Sequence, residues 1–452
     1  MFNSLAFTIL GLLIPILLFS RQPLRNSLGL FILLNPLWIS PRFHIIDSSY
    51  NLADFITITW GIILILALLL KRFEIDCIFH SPIFFLIVLA YLFIVYQSLY
   101  ISHDRFTSIK ALINYSIPIP IMILVMLYIT ENKENIHFFV MVFLISGIIY
   151  LFGVTEYSEA SYEGVKRLKS FTEHPNNLGG YYDMIFPFCV YYFLNSKSYK
   201  IKILFLLLVF LYFYITILSG SRGATISIII ASSFYFYFFL KSKYSFRKRF
   251  YGLLSIITVI LPSFYIIAKK YAPRMLQTSL VTSSNKPTAL MVRFLLWGWT
   301  IDKFKPQDLK GGLGLGNYGG WVIKQANIDF LFDAFVGDLV HANQLEFQIL
   351  FELGIAGLLF LLIFILYLSY MHIKMYKSAD NWEDKKIVIA VFSSWLAIGL
   401  HSLIDYLFAT TVILTQLFIL LGITWGLWNH LCKPEKSLIM KLKSYFSDKS
   451  KE

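Results

Sequence analysis

A run of polar residues stands directly before a very apolar segment. Residues 338–346 read DLVHANQLE and include His341, Asn343 and Gln344, and residues 349–368 then read ILFELGIAGLLFLLIFILYL. A neutral imidazole can accept the proton of a hydroxyl group, and amides can orient such a group by hydrogen bonds. The pattern therefore predicts a site at the edge of a membrane span that could orient a hydroxyl group and accept its proton.

Two arginines in apolar surroundings are candidates for binding an anion. Arg222, in SGSRGATIS, is the only charged residue between Lys202 and Lys241, and Arg293 lies in MVRFLLWGW. A charge at membrane depth costs at least ~2.5–3.5 kcal/mol, so such residues are functional candidates. A guanidinium fork matches two phosphate oxygens. The structural alternatives are a snorkelling Arg222 that caps a hairpin turn and an Arg293 that anchors a helix at the interface.

The stretch RLKSFTEHPNNLGG adds Arg167 and His174. Arg167 is either a ligand for the same anion or a solvated loop charge beside two lysines. His174 is either a site residue or a structural histidine at a helix start where Asn176 or Asn177 supplies the N-cap.

In HSLIDY, His401 and Asp405 are four residues apart and would share one helix face. They either link the last two spans or contribute to the site. We therefore count six candidate substrate-binding residues: Arg167, His174, Asn343, Gln344, His401 and Asp405.

Together these residue types suit the transfer of a group from an anionic, lipid-linked donor. Arginines would stabilise a departing diphosphate, and His341 would accept a proton from the attacking hydroxyl. The sequence contains no P-loop, GxGxxG or HExxH motif, so the interpretation requires no metal and no cofactor, and the donor must arrive already activated. The candidate catalytic residues are His341, Arg222 and Arg293.

Composition sets the environment of these residues. The chain of 452 residues is 58% hydrophobic and only 14% charged, against roughly 25% charged in a soluble domain. The apolar runs are long enough to cross a bilayer as helices. Although the net charge is +13, Lys and Arg concentrate in short loops between these runs, as the positive-inside rule requires. The lipid bilayer, and not nucleic acid, is the expected partner.

The pattern predicts an all-α polytopic protein with twelve or thirteen transmembrane helices and a cytoplasmic C-terminus. The apolar segments lie at about 4–20, 26–39, 54–70, 82–99, 109–129, 136–153, 178–195, 203–219, 223–240, 251–268, 348–370, 386–402 and 405–428. The predicted division is N-terminal spans (1–153), spans with an external loop at 154–177 and the Arg222 turn (154–269), a large external loop (270–347), C-terminal spans (348–430) and a cytoplasmic tail (431–452).

The large loop is too long and too apolar to be a simple connection. Its aromatic segments FLLWGWTIDKF (294–304) and FLFDAF (330–335) predict short helices on the bilayer surface. The glycine-rich GGLGLGNYGG (311–320) predicts a tight turn, because no strand–helix context makes it a nucleotide loop.

The ordered set SGSRGAT, MVRFLLWGWTIDKFKPQDLKGGLGLGNY, HANQLEFQILFELGIAGLL and HSLIDY resembles the bacterial O-antigen ligase and polysaccharide polymerase superfamily over roughly residues 160–430. The resemblance implies a GT-C-like helical fold with the large loop in the periplasm. It also implies metal-independent transfer of a glycan from undecaprenyl diphosphate, at the periplasmic face of the inner membrane. By position, Arg222 and Arg293 match the two diphosphate-binding arginines, and His341 falls in the region of the catalytic histidine.

The chain departs from the ligase pattern at one position. Gln344, Gly354 and Gly357 fit that pattern, but its histidine position holds Asn343, and the nearest histidine is His341. Either His341 supplies the base, or no base is needed here. The two glycines are expected to let a neighbouring helix approach closely.

Several functions agree with this resemblance. A ligase would transfer the glycan to lipid A-core, and a polymerase would join lipid-linked repeat units, with a chain-length regulator as a further partner. A protein O-oligosaccharyltransferase would use a protein acceptor. A transporter of lipid-linked glycan is the alternative outside the enzymes, but the matched half-repeats typical of transporters are absent from the sequence.

Overall fold

The computed structural model describes most of the chain. The described residues are 22–37, 42–45, 48–73, 76–79, 82–158, 166–171, 174–241, 264–270, 289–325, 342, 344–408 and 410–432, with isolated residues between 245 and 262. The predicted span at 4–20, the tail after 432, and both His341 and Asn343 lie outside them.

Helices dominate these residues, which confirms the predicted all-α polytopic membrane class. The N-terminal part contains α1 (Pro23–Leu34), α2 (Leu52–Leu69), α3 (Asp76–Phe79), α4 (Pro82–Tyr100), α5 (Arg105–Ser116), α6 (Ile119–Glu131) and α7 (Asn135–Leu151). The remainder contains α8 (Pro175–Asn195), α9 (Tyr199–Leu218), α10 (Arg222–Lys241), α11 (Ala289–Lys303), α12 (Pro306–Gly311), α13 (Tyr318–Gln325), α14 (Leu345–Ser378), α15 (Trp382–Ser402) and α16 (Thr411–Leu431).

Among the described residues, six stretches are long and apolar enough to cross a membrane. They are Ile83–Tyr100, Arg105–Glu131, Tyr199–Leu218, Arg222–Lys241, Leu345–Ser378 and Thr411–Leu431. The segment 109–129, expected as one helix, is divided into α5 and α6 at Pro118 and Pro120, since proline lacks the N–H that a continuous helix needs. Helices α8 and α15 have 21 residues each, but their polar residues keep them outside this set.

Helix α8 forms the centre of the described bundle. It packs against α7, α9, α10, α15 and α16, and 16 of its 21 residues are buried. A helix buried on all sides needs no uniformly apolar surface, because other helices and not lipid cover it. This position lets α8 carry an acidic residue, Asp183, at full burial.

Two short β-hairpins are additions to the predicted helical fold. Strands β1 (Arg42–Ile45) and β2 (Ser48–Asn51) pair antiparallel, as do β3 (Thr155–Ser158) and β4 (Lys166–Lys169). The second hairpin lies in the stretch 154–177 that the sequence predicts to be a loop. Its register places Arg167 opposite Tyr157, so Arg167 lies on a strand.

The large loop contains the short helices α11, α12 and α13. Helix α11 covers most of the aromatic segment 294–304 and confirms a helix there, whereas the segment 330–335 lies outside the described residues. Between α12 and α13, residues 312–317 form a tight turn, here called the glycine turn, in which Gly312, Gly314 and Gly316 have positive φ angles. The side-chain amide of Asn317 donates to the hydroxyls of Ser102 and Ser108 at 2.9 and 2.8 Å. The loop between α4 and α5 and the first turn of α5 therefore hold the glycine turn in place.

Helix α14 is broken at Gly354, whose φ of 69° and ψ of −168° are not helical. The break frees the carbonyls of Phe351 and Glu352, which accept from the glycine-turn amides of Leu313 and Gly314 at 2.9 Å each. A Cβ at Gly354 would lie 2.5 Å from the backbone oxygen of Lys310. The expectation of a close helix contact is thus met at Gly354 by α12, whereas the nearest atoms to a Cβ at Gly357 belong to α14 itself.

Candidate active site

Five charged or titratable side chains meet in one buried network, here called the charged cluster. It consists of Arg167 on β4, Asp183 on α8, Arg293 on α11, His401 on α15 and Asp405 in the turn after α15. Asn176 and Ser221 add hydrogen bonds to it. Four of the five were candidates from the sequence, and the fold brings them together from five separate elements.

Asp405 is the centre of the charged cluster. Its Oδ1 accepts from Nη2 of Arg293 at 2.5 Å and from the Asn176 amide at 2.7 Å. Arg293 also donates to the backbone oxygen of Ile404 at 2.9 Å. Burial alone would raise the pKa of the Asp405 carboxyl, but Arg293 and His401 outweigh burial and hold that pKa well below its usual range. Asp405 therefore acts as a fixed anion that orients Arg293.

His401 is fully buried between two carboxylates. Its Nδ1 lies 2.5 Å from Oδ2 of Asp183, and its Nε2 lies 3.3 Å from Oδ2 of Asp405 and 3.1 Å from the Ser221 hydroxyl. Ionised carboxylates only accept hydrogen bonds, so this arrangement suits the doubly protonated, cationic imidazole. Such a ring has no lone pair with which to take a proton from a substrate. The geometry favours a role in linking helices.

Arg167 is buried, with 3% of its surface exposed, and is thus not the solvated loop charge of the alternative interpretation. Its Nε donates to the backbone oxygen of Ser219 at 2.8 Å, and its Nη2 donates to Asn176 at 2.6 Å. The guanidinium lies against Gly220, which has a φ of 67°. Only glycine adopts this conformation readily, and a Cβ there would stand 3.0 Å from Nε of Arg167.

His174 is the N-cap of α8, so the expectation of an asparagine cap was wrong. Its Nδ1 accepts from the backbone N–H of Asn176 at 3.2 Å. Pro175 at the first helical position needs no acceptor for a backbone N–H. This arrangement frees the Asn176 side chain to bridge Arg167 and Asp405.

Arg222 is the first residue of α10, at the tip of the predicted hairpin between α9 and α10, and is half-buried. Its neighbours Ser221 and Gly223 both touch His401, since a Cβ at Gly223 would lie 2.6 Å from Cδ2 of that ring. A cation is unfavourable at a helix N-terminus, where the backbone dipole is already positive. The same position becomes favourable when an anion binds.

The polar start of α14 is described in part. Gln344 occupies the N-cap position without making a side-chain cap, and among the described residues its buried Oε1 has no hydrogen-bond partner. The same holds for Oε2 of Glu346. His341 and Asn343 lie outside the described residues, so their roles stay predictions.

Sequence reasoning missed Asp183, Asn176 and Ser221 as members of the network. A signal for Asp183 was available, because it is the only acidic residue in the predicted span 178–195, and ionisable residues within spans are functional candidates. No comparable signal marks Asn176 or Ser221, since asparagine and serine are common at helix starts and turns.

An apolar cavity of about 620 Å³ lies beside the charged cluster. Helices α4, α5, α14, α15 and α16 line it, largely with leucine, isoleucine and phenylalanine. Ser402, Leu403 and Tyr406 also face it, whereas Ile404 and Asp405 of the same turn bind Arg293. One short turn therefore separates a cationic site from a space suited to a hydrocarbon chain.

The comparison with protein families agrees with the resemblance seen in the sequence. Residues 205–362 match the family model described as O-antigen ligase. The matched stretch includes Arg222, Arg293, the glycine turn and the start of α14, and the family implies a glycosyltransferase-like enzyme. A search of the curated proteins found no match.

Proposed function

Since residues 205–362 carry an O-antigen ligase domain, we propose that this multi-pass membrane protein transfers a glycan from an undecaprenyl-diphosphate carrier to an acceptor hydroxyl. The preferred acceptor is lipid A-core, and the site would face the periplasm from the inner membrane. The observation that carries the proposal is the shared turn, which has the charged cluster on one side and the apolar cavity on the other. An anionic head on a long hydrocarbon tail fits this pair of environments.

The cationic side chains of the charged cluster support an anionic head group. Arg293 binds Asp405, His401 lies between Asp183 and Asp405, and Arg167 donates to Asn176. Such groups favour a diphosphate, and in a site shielded from water such donors stabilise developing charge strongly. Arg222 at the N-terminus of α10 and the oriented Arg293 are the proposed diphosphate ligands.

In the proposed reaction the acceptor oxygen attacks the anomeric carbon of the glycan, and the bond from that carbon to the diphosphate oxygen breaks. The electron pair leaves with the undecaprenyl diphosphate, whose added charge Arg222 and Arg293 stabilise. The hydroxyl proton passes to His341 as general base. Gln344 and Glu346 provide acceptors for sugar hydroxyls, because each has a buried oxygen without a partner among the described residues.

Gene deletion followed by gel analysis of surface polysaccharide tests the proposal. Long chains stranded on the carrier would identify a ligase, and single repeats on lipid A-core would identify a polymerase. Unaltered polysaccharide would refute both and direct attention to a protein acceptor. Release of undecaprenyl diphosphate by the purified protein in lipid nanodiscs separates an enzyme from a transporter, which would move the donor intact.

The same purified system tests the residues. We expect Arg222→Ala and Arg293→Ala each to lower transfer by roughly 100- to 1,000-fold, the usual effect of removing one donor to developing charge. Arg72→Ala is the matched control, because Arg72 forms an exposed pair with Glu131 away from the site. Full activity in His341→Ala would remove the assignment of the base.

A further inference from the structure

The peptide groups on both sides of Ala342 are held by side chains. Its N–H donates to Oε1 of Gln348 at 2.6 Å, and its carbonyl accepts from Nε1 of Trp297 at 2.6 Å. Ala342 is fully buried, so water cannot replace either bond. Two large side chains therefore fix the backbone of a residue that contributes only a methyl group itself.

A buried carboxylate sets the orientation of Gln348. The amide Nε2 of Gln348 donates to Oε1 of Glu352 at 2.7 Å, which turns the amide oxygen towards Ala342. Glu352 also accepts from the backbone N–H of Tyr318, the first residue of α13, at 3.4 Å. Gln348 and Glu352 are 2% and 4% exposed, and burying such groups is costly unless their hydrogen bonds are satisfied.

Trp297 connects Ala342 to the charged cluster. It lies one helical turn after Arg293 on α11, and its ring stacks on Phe347 with centroids 4.9 Å apart. Arg293 on the same helix binds Asp405. A single rigid helix thus sets both the guanidinium and the donor to the Ala342 carbonyl.

We propose that Trp297 and the Gln348–Glu352 pair are positioning residues that fix the backbone of Ala342, the residue next in sequence to the proposed base, relative to Arg293. This inference rests on the proposed function, because it assigns this anchor of the Ala342 backbone to the same transfer reaction.

Hydrogen–deuterium exchange of the full-length protein in nanodiscs tests the anchor without using activity. We expect Gln348→Leu, which removes the acceptor of the Ala342 N–H, to raise exchange of that amide about tenfold, the factor for one lost hydrogen bond. Trp297→Phe frees the Ala342 carbonyl and should raise the same exchange less. Trp299→Phe is the matched control, since Trp299 lies on the same helix but packs against Trp321. Unaltered exchange in both test variants would overturn the proposal.

Kinetics then test the positioning role. We expect Gln348→Leu and Trp297→Phe to lower kcat by roughly 10- to 100-fold, with KM for the lipid-linked donor within about twofold, because Arg222 and Arg293 are retained. The double variant should lose less than the product of the single losses, since both changes release the same residue. Glu352→Gln keeps an oxygen that can accept from Gln348 and should retain most of the activity.

Three outcomes would contradict the positioning role. Full kcat despite raised exchange would show that the anchor is irrelevant to transfer. Parallel changes in KM and in the amount of folded protein, without a change in kcat, would show that the role is structural. A wild-type protein that transfers no glycan, with its anchor intact by exchange, would refute the proposed function and with it this role.

Discussion

The charged cluster and the glycine turn are two buried polar regions that are built in different ways. In the charged cluster, charged and polar side chains from five elements bind one another, and Asp405 by itself contacts Arg293, His401 and Asn176. At the glycine turn, the backbone N–H groups of Leu313 and Gly314 donate to the carbonyls that the break in α14 leaves without a helical partner. We conclude that the first region depends on charge and the second on backbone shape.

Removing the charge of Asp405, at the centre of the charged cluster, should have the largest effect on stability and on transfer. Asp405→Ala would remove the carboxylate that Arg293 and the buried His401 share, which costs about 3–5 kcal/mol in the free energy of unfolding. Transfer should fall by at least about 100-fold, because Arg293 loses its orientation. Asp405→Asn isolates the charge, since it removes the carboxylate but keeps an oxygen that can accept from Arg293. Equilibrium unfolding in mixed micelles and the transfer assay measure both effects, and wild-type stability and transfer in Asp405→Asn would show that charge is unimportant.

A substitution that changes backbone shape but not charge should destabilise the contact between the glycine turn and the break in α14. Gly354→Ala places a Cβ 2.5 Å from the Lys310 oxygen at a φ of 69°, and such backbone strain costs about 1–3 kcal/mol. Gly298→Ala is the matched control: it lies inside α11 with no atom within 4 Å of an added Cβ, and should be neutral or stabilising. Thermal unfolding of the two variants decides the point, and equal melting temperatures would contradict the role of the break.

The smallest expected effect is the dependence on pH. A carboxyl whose folded pKa is depressed stabilises the fold above its unfolded pKa, and that stabilisation is lost as pH falls through the folded pKa. The difference in melting temperature between wild type and Asp405→Asn should therefore stay constant from about pH 8 to pH 5. It should shrink only below about pH 4, the ordinary pKa of an aspartate. A difference that already shrinks near neutral pH would show that Arg293 does not hold the Asp405 pKa down.

Local patterns predicted much of this architecture. Long apolar runs predicted the helices, and the isolated charge of Arg222 predicted its position at a hairpin tip. Repeated glycines predicted the turn at residues 312–317. The family match confirms the resemblance that the ordered motifs suggested. Each of these features depends on neighbours in the chain, which a single sequence displays directly.

Features that depend on distant partners could not be predicted in this way. Arg167 is buried by residues of α8 and the α9–α10 turn. The break at Gly354 has its cause in α12 and the glycine turn, some forty residues earlier in the chain. The sequence of each short segment does not show which distant residues it contacts in the fold.

The contact between Asp183 and His401 has a consequence for how the protein is made. The two residues are 218 positions apart, so at about 5–20 residues per second the ribosome needs roughly 10–40 s to supply the histidine after the aspartate. During that interval helix α8 presents an uncompensated acidic residue to the insertion machinery or to earlier helices. We therefore expect a chain halted before α15 to expose Asp183 to membrane quality control.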